Sequence, residues 1–229
     1  MKLAFLGTGS AFSLERHNGA VVVDGRILLD AGAPLLPQMH RLGIDPGGIE
    51  MVCLSHFHGD HTLGLASFVL HRAFIDHRPL TVLGPKGVEE RMESLFKLAW
   101  GDPDWAEMSG ELELAYREAE ESGQVNGVHY ESMALPHGKR GGTGYRLRLD
   151  GRVLAYTGDT EMGPEVSQLV AGADVAIVEA TQPGRPYSHM SWEDAEKLAR
   201  QHPGVRFIWN HLYAGDLERA AHDLEVIEV

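Results

Sequence analysis

The segment Ser55-His56-Phe57-His58-Gly59-Asp60-His61 constrains this chain more than any other stretch of its 229 residues. It follows the apolar run Met51–Leu54, which reads as a strand, and precedes a helical pattern, so it falls on a loop at a strand's C-terminal end. At the chain's own His and Asp frequencies a fixed H-x-H-x-D-H arises by chance about 0.002 times in a chain this long, so the pattern calls for a chemical reason. Imidazole nitrogens and a carboxylate suit Zn²⁺, Mn²⁺ or Fe²⁺, and the absence of thiolate ligands argues against a structural zinc finger. Four donors in six residues cannot all reach one ion comfortably, which points to two metals side by side.

A second ion needs further ligands, and strand ends elsewhere offer them. His137 closes a predicted strand in Leu135-Pro136-His137-Gly138, Asp159 follows one in Thr157-Gly158-Asp159-Thr160, and His211 follows one in Trp209-Asn210-His211-Leu212. Any one of them alone is unremarkable. Three such positions beside the histidine-rich segment form a constellation.

Short apolar runs bounded by Gly and Asp predict strands over Lys2–Leu6, Ala20–Val23, Arg26–Leu29, Met51–Leu54 and Leu80–Leu83. Later strands are predicted over Val128–Leu135, Gly144–Leu149, Val153–Thr157, Val175–Val178 and Val205–Trp209. Helical periodicity predicts helices over Leu35–Leu42, Thr62–Arg72, Gly87–Ala99, Pro164–Ala171 and Trp192–Gln201, the last capped by Ser191. Asp24-Gly25 and Asp150-Gly151 are hairpin turn signals, which count against a plain parallel doubly wound sheet. Between residues 101 and 127 no period is clear. Asp102-Pro103-Asp104 should break the preceding helix, and the acidic run Glu111–Glu121 reads as a solvated helix face or loop. No linker separates the halves, so one α/β domain over 1–229 is expected, with two sheets packed face to face and helices outside.

Twenty Lys and Arg against 33 Asp and Glu give a net charge of −13, which argues against generic nucleic-acid binding. Cys53 is the only cysteine, so no intrachain disulfide can form and a reducing, cytoplasmic setting fits. The N-terminal apolar run is too short for a signal peptide, and no stretch is long enough for a membrane span.

Met1–His61, His137, Gly158-Asp159 and His211 together resemble the metallo-β-lactamase superfamily, whose four-layer αββα sandwich carries a dinuclear site at one sheet edge. Leu6-Gly7-Thr8-Gly9-Ser10-Ala11, Leu29-Asp30-Ala31-Gly32 and Ser55–Gly64 resemble its ribonuclease Z and phosphodiesterase branch. Glu179-Ala180-Thr181 resembles the end of that branch's His-Glu-Ala-Thr motif, and Ser188-His189-Met190-Ser191 its Gly-His-Ser-Thr motif. The resemblance covers essentially the whole chain outside 101–127. It implies His56, His58 and His137 on one ion, Asp60, His61 and His211 on the other, and Asp159 bridging. The implied cofactor is two divalent ions, Zn²⁺ first and Mn²⁺ second, and a homodimer is common in the family. A water bridging two such ions is acidified toward hydroxide and can attack phosphorus in line.

The expected catalytic groups are Asp60, which is also a ligand, His189 on the leaving-group side, and Glu179 orienting His189. Two positions depart from the pattern: Val178 stands where the motif has His, and His17-Asn18 only loosely matches its Arg-Asn. Asp30 reads as structural, tying up loop amides, and Gly7-Thr8-Gly9-Ser10 as a tight loop supporting the site. Lys139 and Arg140 could line a substrate cleft or simply be solvated. His17, His40, His71, His77, His129, His202 and His222 are left without a site role.

Four functions compete: a phosphodiesterase on small phosphodiesters or cyclic nucleotides, a transfer-RNA 3′ endoribonuclease, a thioester or lactone hydrolase, and a metal-binding relative without activity. Ribonuclease Z proteins of the usual kind carry a long basic arm between the third-motif His and the bridging Asp. Here only 21 residues separate His137 from Asp159. The expectation is therefore a small phosphodiester as partner, with long RNA disfavoured.

Overall fold

The computed structural model describes residues 1–32 and 34–229. In β1 (Lys2–Gly7), Leu3 and Phe5 alternate with Ala4 and Leu6, and all four are buried. A strand apolar on both faces must be covered on both, and the alternation sorts these residues into two different cores. Leu3 and Phe5 join a core between two sheets, whereas Ala4 and Leu6 join one beneath an outer layer of helices.

The first half of the chain adds β2 (Ala20–Val23), β3 (Ile27–Leu29), α1 (Leu35–Arg41), β4 (Met51–Cys53), α2 (Gly59–His71), β5 (Leu80–Gly84) and α3 (Val88–Trp100). It then passes through α4 (Asp102–Ser109) and β6 (Leu114–Glu118). The second half holds β7 (Ser122–Val125), β8 (Val128–Leu135), β9 (Gly142–Leu149), β10 (Arg152–Tyr156), α5 (Pro164–Val170), β11 (Val175–Glu179), α6 (Trp192–Gln201), β12 (Arg206–Asn210) and β13 (Val226–Glu228).

The seven-stranded sheet runs β13-β1-β2-β3-β4-β5-β6 and the six-stranded sheet β12-β11-β10-β9-β8-β7. Each is mixed. From β13 to β3 the pairs are antiparallel and from β3 to β6 parallel, while β7 to β10 are antiparallel and β10 to β12 parallel. Three hairpin turns place consecutive residues at positive φ, at Asp24-Gly25, Asn126-Gly127 and Asp150-Gly151, which Asp, Asn and Gly tolerate best. Residues of α1, α2 and α3 cover the first sheet, and residues of α5 and α6 the second. The order of layers is the expected α/β sandwich, αββα.

Three local expectations change. α2 begins at Gly59, three residues before the Thr62 start expected from periodicity, with His58 as its N-cap residue. Asp102-Pro103 does end the preceding helix, but Asp102 also opens a new one, consistent with proline's tolerance in a first helical turn. The Glu111–Glu121 run is not a helix face: it contains edge strand β6, whose Tyr116 hydroxyl donates to Glu93 of α3 (2.8 Å). β13 has no counterpart among the expected strands, being three residues long and mostly exposed.

Arg72, after α2, is fully buried and donates to Asp76 Oδ1 (2.7 Å), Ile49 O (2.6 Å) and Arg78 O (2.8 Å), which ties the helix exit to the loops before β4 and β5. No helix among the described residues is long and apolar enough to cross a membrane. The inter-sheet core supplies a direct test of the layering. Phe5→Ala should lower unfolding free energy by about 3–5 kcal/mol in urea titrations, whereas a loss below about 1 kcal/mol would place Phe5 outside that core.

Candidate metal centre

All the site loops leave strands at one end of the sandwich. The Ser55–His58 loop follows β4, His137 follows β8, Asp159 follows β10, Glu179 ends β11 and His211 follows β12. Helix α2 points its N-terminus into this edge and carries Asp60 and His61 in its first turn, where the helix dipole favours a carboxylate. Gly158 makes the approach of Asp159 possible: its φ is +56° and a Cβ there would overlap Ser55.

The seven residues singled out as ligands converge in two groups that share one member. His56, His58, His137 and Asp159 form one set of atoms able to hold an ion, and Asp60, His61, Asp159 and His211 form another. Asp159 presents Oδ1 to His61 Nε2 (3.2 Å) and His211 Nε2 (3.3 Å). Its Oδ2 faces His56 Nε2 (3.7 Å) and His137 Nε2 (3.9 Å). Asp60 Oδ2 lies 3.3 Å from Nε2 of both His61 and His211.

Each of four imidazoles is held from behind by an acceptor. His61 Nδ1 bonds to Asp30 Oδ2 (2.7 Å), His137 Nδ1 to Ser188 O (2.7 Å), His56 Nδ1 to Ser55 Oγ (3.0 Å) and His211 Nδ1 to Thr181 Oγ1 (3.3 Å). An acceptor at Nδ1 places the proton there and leaves the Nε2 lone pair facing inward, as a metal ligand requires. His56 Nε2 and His58 Nδ1 stand 2.9 Å apart, and His61 Nε2 and Asp159 Oδ1 are buried without a hydrogen-bond partner. Converging nitrogens and unsatisfied buried atoms of this kind are what a cation between them would satisfy. The donor set therefore fits divalent metal ions.

The electrostatics follow from the packing. Burial, then the neighbouring His61, lowers the pKa of His56 to about 2, and burial and His137 likewise lower His58. Burial works against charge on Asp60, yet its hydrogen bonds with His211 and His61 hold the carboxyl well below the usual range. Asp159 is buried too, and its contacts with His211 and His61 hold its carboxyl below the usual range. Burial would neutralise His61 and His211, but Asp159 with Asp30 raises the first, and Asp159 with Asp60 raises the second to about 10. In His189 burial is overcome by its Glu179 partner, so its pKa is also raised.

Glu179 is buried and reaches several groups. Its Oε2 accepts from Thr181 Oγ1 (2.6 Å) and lies 3.0 Å from His189 Nδ1, while Oε1 accepts from the Thr160 backbone N–H. Val178, where the motif has His, faces the outer core beneath α6, on the opposite side of β11 from the inter-sheet residues Val175 and Ile177. Asp30 does tie up a loop amide, accepting from Ser55 N (2.7 Å). It also accepts from Ser55 Oγ (2.7 Å) and Tyr156 OH (2.6 Å) and holds His61, a reach across both sheets that the sequence reading missed. The Gly7–Ser10 loop supports His211, since Leu212 N donates to Thr8 O (2.9 Å) and Ser10 N to Leu212 O (3.0 Å). Lys139 and Arg140 line the cavity over the site, together with Asp60, His189 and His211.

This fold and this donor set define a metal-dependent hydrolase of the metallo-β-lactamase superfamily, in its ribonuclease Z and phosphodiesterase branch. A family model described as anti-Pycsar protein Apyc1 matches residues 1–222, and the chain belongs to that family. A ribonuclease Z from Limosilactobacillus fermentum is 25% identical over 305 aligned residues, covering 100% of this chain and 98% of its own length. A ribonuclease Z from Pyrobaculum arsenaticum is 27% identical over 276, covering 97% and 90%. Among solved structures, the short form of human tRNase Z superposes with a TM-score of 0.79 at 22% identity, covering 100% of this chain and 99% of that one. A diphosphatase of the PhnP family gives 0.78 at 17%, covering 100% and 97%.

Asp30→Ala should cost about 3–5 kcal/mol, because it strips a buried pair of its anion and leaves Ser55, His61 and Tyr156 without their acceptor. Urea unfolding checks this, and a cost under about 1 kcal/mol would contradict the network.

Proposed function

We propose that this chain is a dinuclear metal-dependent phosphodiesterase acting on small phosphodiesters, cyclic nucleotides among them. The observation that carries the reading is the connection between His137 and Asp159. It is one hairpin, β9 and β10 joined through Asp150-Gly151, and nothing projects from it that could grip a long RNA. The chain is also short beside its relatives: its 229 residues spread over 305 aligned positions, so at least 76 positions of the Limosilactobacillus protein have no counterpart here. The acidic balance adds few phosphate contacts.

In this reading His56, His58 and His137 would hold one ion and Asp60, His61 and His211 the other, with Asp159 shared between the two sets. Zn²⁺ is the proposed ion, given an imidazole-rich set without thiolate, and Mn²⁺ shares the same ligands. Two divalent ions held there would acidify a shared water and neutralise charge on the phosphoryl oxygens. Asp60 anchors the first turn of α2 against His61 and His211. Glu179 fixes His189 through Nδ1, which leaves Nε2 as the free nitrogen of a ring that lines the cavity. That nitrogen is placed to give a proton to the departing oxygen.

The second reading is cleavage of transfer-RNA 3′ ends, and the names of the curated relatives favour it over the first: ribonuclease Z and ribonuclease BN proteins match over most of their lengths. A thioester or lactone substrate is disfavoured by the Glu179–His189 pair, which resembles the phosphodiester branch. A metal-loaded activity panel separates the three. A 3′,5′- or 2′,3′-cyclic nucleotide and a bis-aryl phosphodiester should be cleaved faster than precursor transfer RNA, a thioester or a lactone. Faster release of a transfer-RNA 3′ trailer would establish the second reading instead.

Asp159→Ala should lose metal and activity together, and a variant retaining two ions per chain by elemental analysis would refute the shared carboxylate. His189→Ala should keep its metal while turnover falls by about 10²–10⁴-fold on poor leaving groups. Activated aryl phosphodiesters should suffer much less, and equal losses on both would argue against proton donation.

A further inference from the structure

His211 has a φ of +60°, in the left-handed region that residues other than glycine rarely adopt. Backbone strained in this way persists only where its surroundings over-determine it. The bonds of the next two residues do so here. Leu212 N donates to Thr8 O (2.9 Å), Leu212 O accepts from Ser10 N (3.0 Å), and Tyr213 N donates to Thr181 O (2.8 Å). Two of these partners belong to the Gly7–Ser10 loop, so that loop sets the direction in which the His211 imidazole enters the site.

The loop is not held by its own side chains. Gly7 and Gly9 have none to pack, and a Cβ would overlap the Asn18 carbonyl at the first and the Arg16 side chain at the second. Its place is fixed at Thr8, the fully buried residue between them. Asp223 grips that residue: its Oδ1 accepts from Thr8 N (2.9 Å) and Thr8 Oγ1 (2.8 Å). Its Oδ2 accepts from His17 N (2.7 Å) and lies 2.6 Å from His17 Nδ1, and His17 O in turn accepts from Gly9 N (2.7 Å). One carboxylate therefore binds both sides of the loop. Asp223 is itself seated on β1, because Leu224 N donates to Phe5 O (2.7 Å) and Phe5 N to Glu225 O (2.9 Å). Arg16 adds a second hold on Thr8 Oγ1 (2.9 Å), whereas the Thr8 backbone N–H ends on Asp223.

We infer that Asp223 is a positioning residue for the metal centre, holding the left-handed backbone of His211 in place through Thr8. The inference rests on the two-ion reading and adds to it a residue that touches neither ligand set. Its consequence is asymmetric. The path from Asp223 leads to His211, which shares its set with Asp60 and His61, while His56 and His137 are held separately by Ser55 Oγ and Ser188 O.

Zinc titration against a competing chromophoric chelator tests this, alongside crystal structures of the metal-free protein. Asp223→Ala should bind one of its two ions about ten- to hundredfold more weakly than wild type and keep the other. Asp223→Asn, which retains an oxygen for Thr8 and gives up the His17 arm, should keep both. In metal-free Asp223→Ala crystals the Leu212 N to Thr8 O bond should open and His211 should leave positive φ. Equal weakening of both ions, affinities unchanged from wild type, an Asp223→Asn variant as weak as Asp223→Ala, or an unmoved His211 would each overturn the inference. Should Asp223→Ala not fold, Thr8→Val removes the hydroxyl arm at nearly constant shape and should weaken the same single ion; equal effects on both would again overturn it. A wild type that binds one ion refutes the two-ion reading, while the metal-free backbone comparison still decides the role of Asp223.

Discussion

The imidazole of His61 lies between two buried carboxylates, Asp30 at the end of the β3 run and Asp159 after β10, and so joins one sheet to the other. A buried carboxylate is costly unless it is paired and hydrogen-bonded. Asp30 meets that demand with Ser55, His61 and Tyr156, the last reaching from the second sheet. Asp159 turns Oδ1 toward His61 and His211 and Oδ2 toward His56 and His137, a buried anion that a cation among these nitrogens would satisfy. The observed register in which the two sheets stack brings these groups together. The apolar layer of Leu3, Phe5, Leu29, Tyr145 and Ile177 between them supplies the attraction without specifying that register so sharply.

Much of this was legible in the chain because the site residues punctuate strands. A β-branched run ending in His or Asp marks both a strand and the point where its side chains reach the sheet edge, and this placed His56, His137, Asp159 and His211. Periodicity hides the start of α2 because Gly59 and Asp60 are poor helix formers and no apolar period precedes Thr62, yet those residues form the turn that presents His61. Residues 101–127 were opaque for another reason. β6 is a half-buried edge strand whose Glu and Arg do not alternate with apolar residues, and its partners lie on β5 and α3. The hydrogen bond from Tyr156 to Asp30 spans 126 positions and exists only once the sheets stack, so no local pattern could announce it.

The same layout explains how an acidic protein can serve an anionic substrate. A net charge of −13 opposes a long polyanion over the whole surface, but the proposed ions would concentrate positive charge at one edge. Lys139 and Arg140 stand at that edge. The Limosilactobacillus ribonuclease Z has at least 76 aligned positions without a counterpart here. Here a single hairpin connects His137 to Asp159.

The proposed role of Asp159 is to divide one dinuclear centre into two ligand sets. Anomalous-difference crystallography on zinc-loaded protein tests it most directly. Two anomalous peaks about 3.5–4 Å apart, with one Asp159 oxygen on each, are expected. A single peak, or a pair that Asp159 does not bridge, would contradict it.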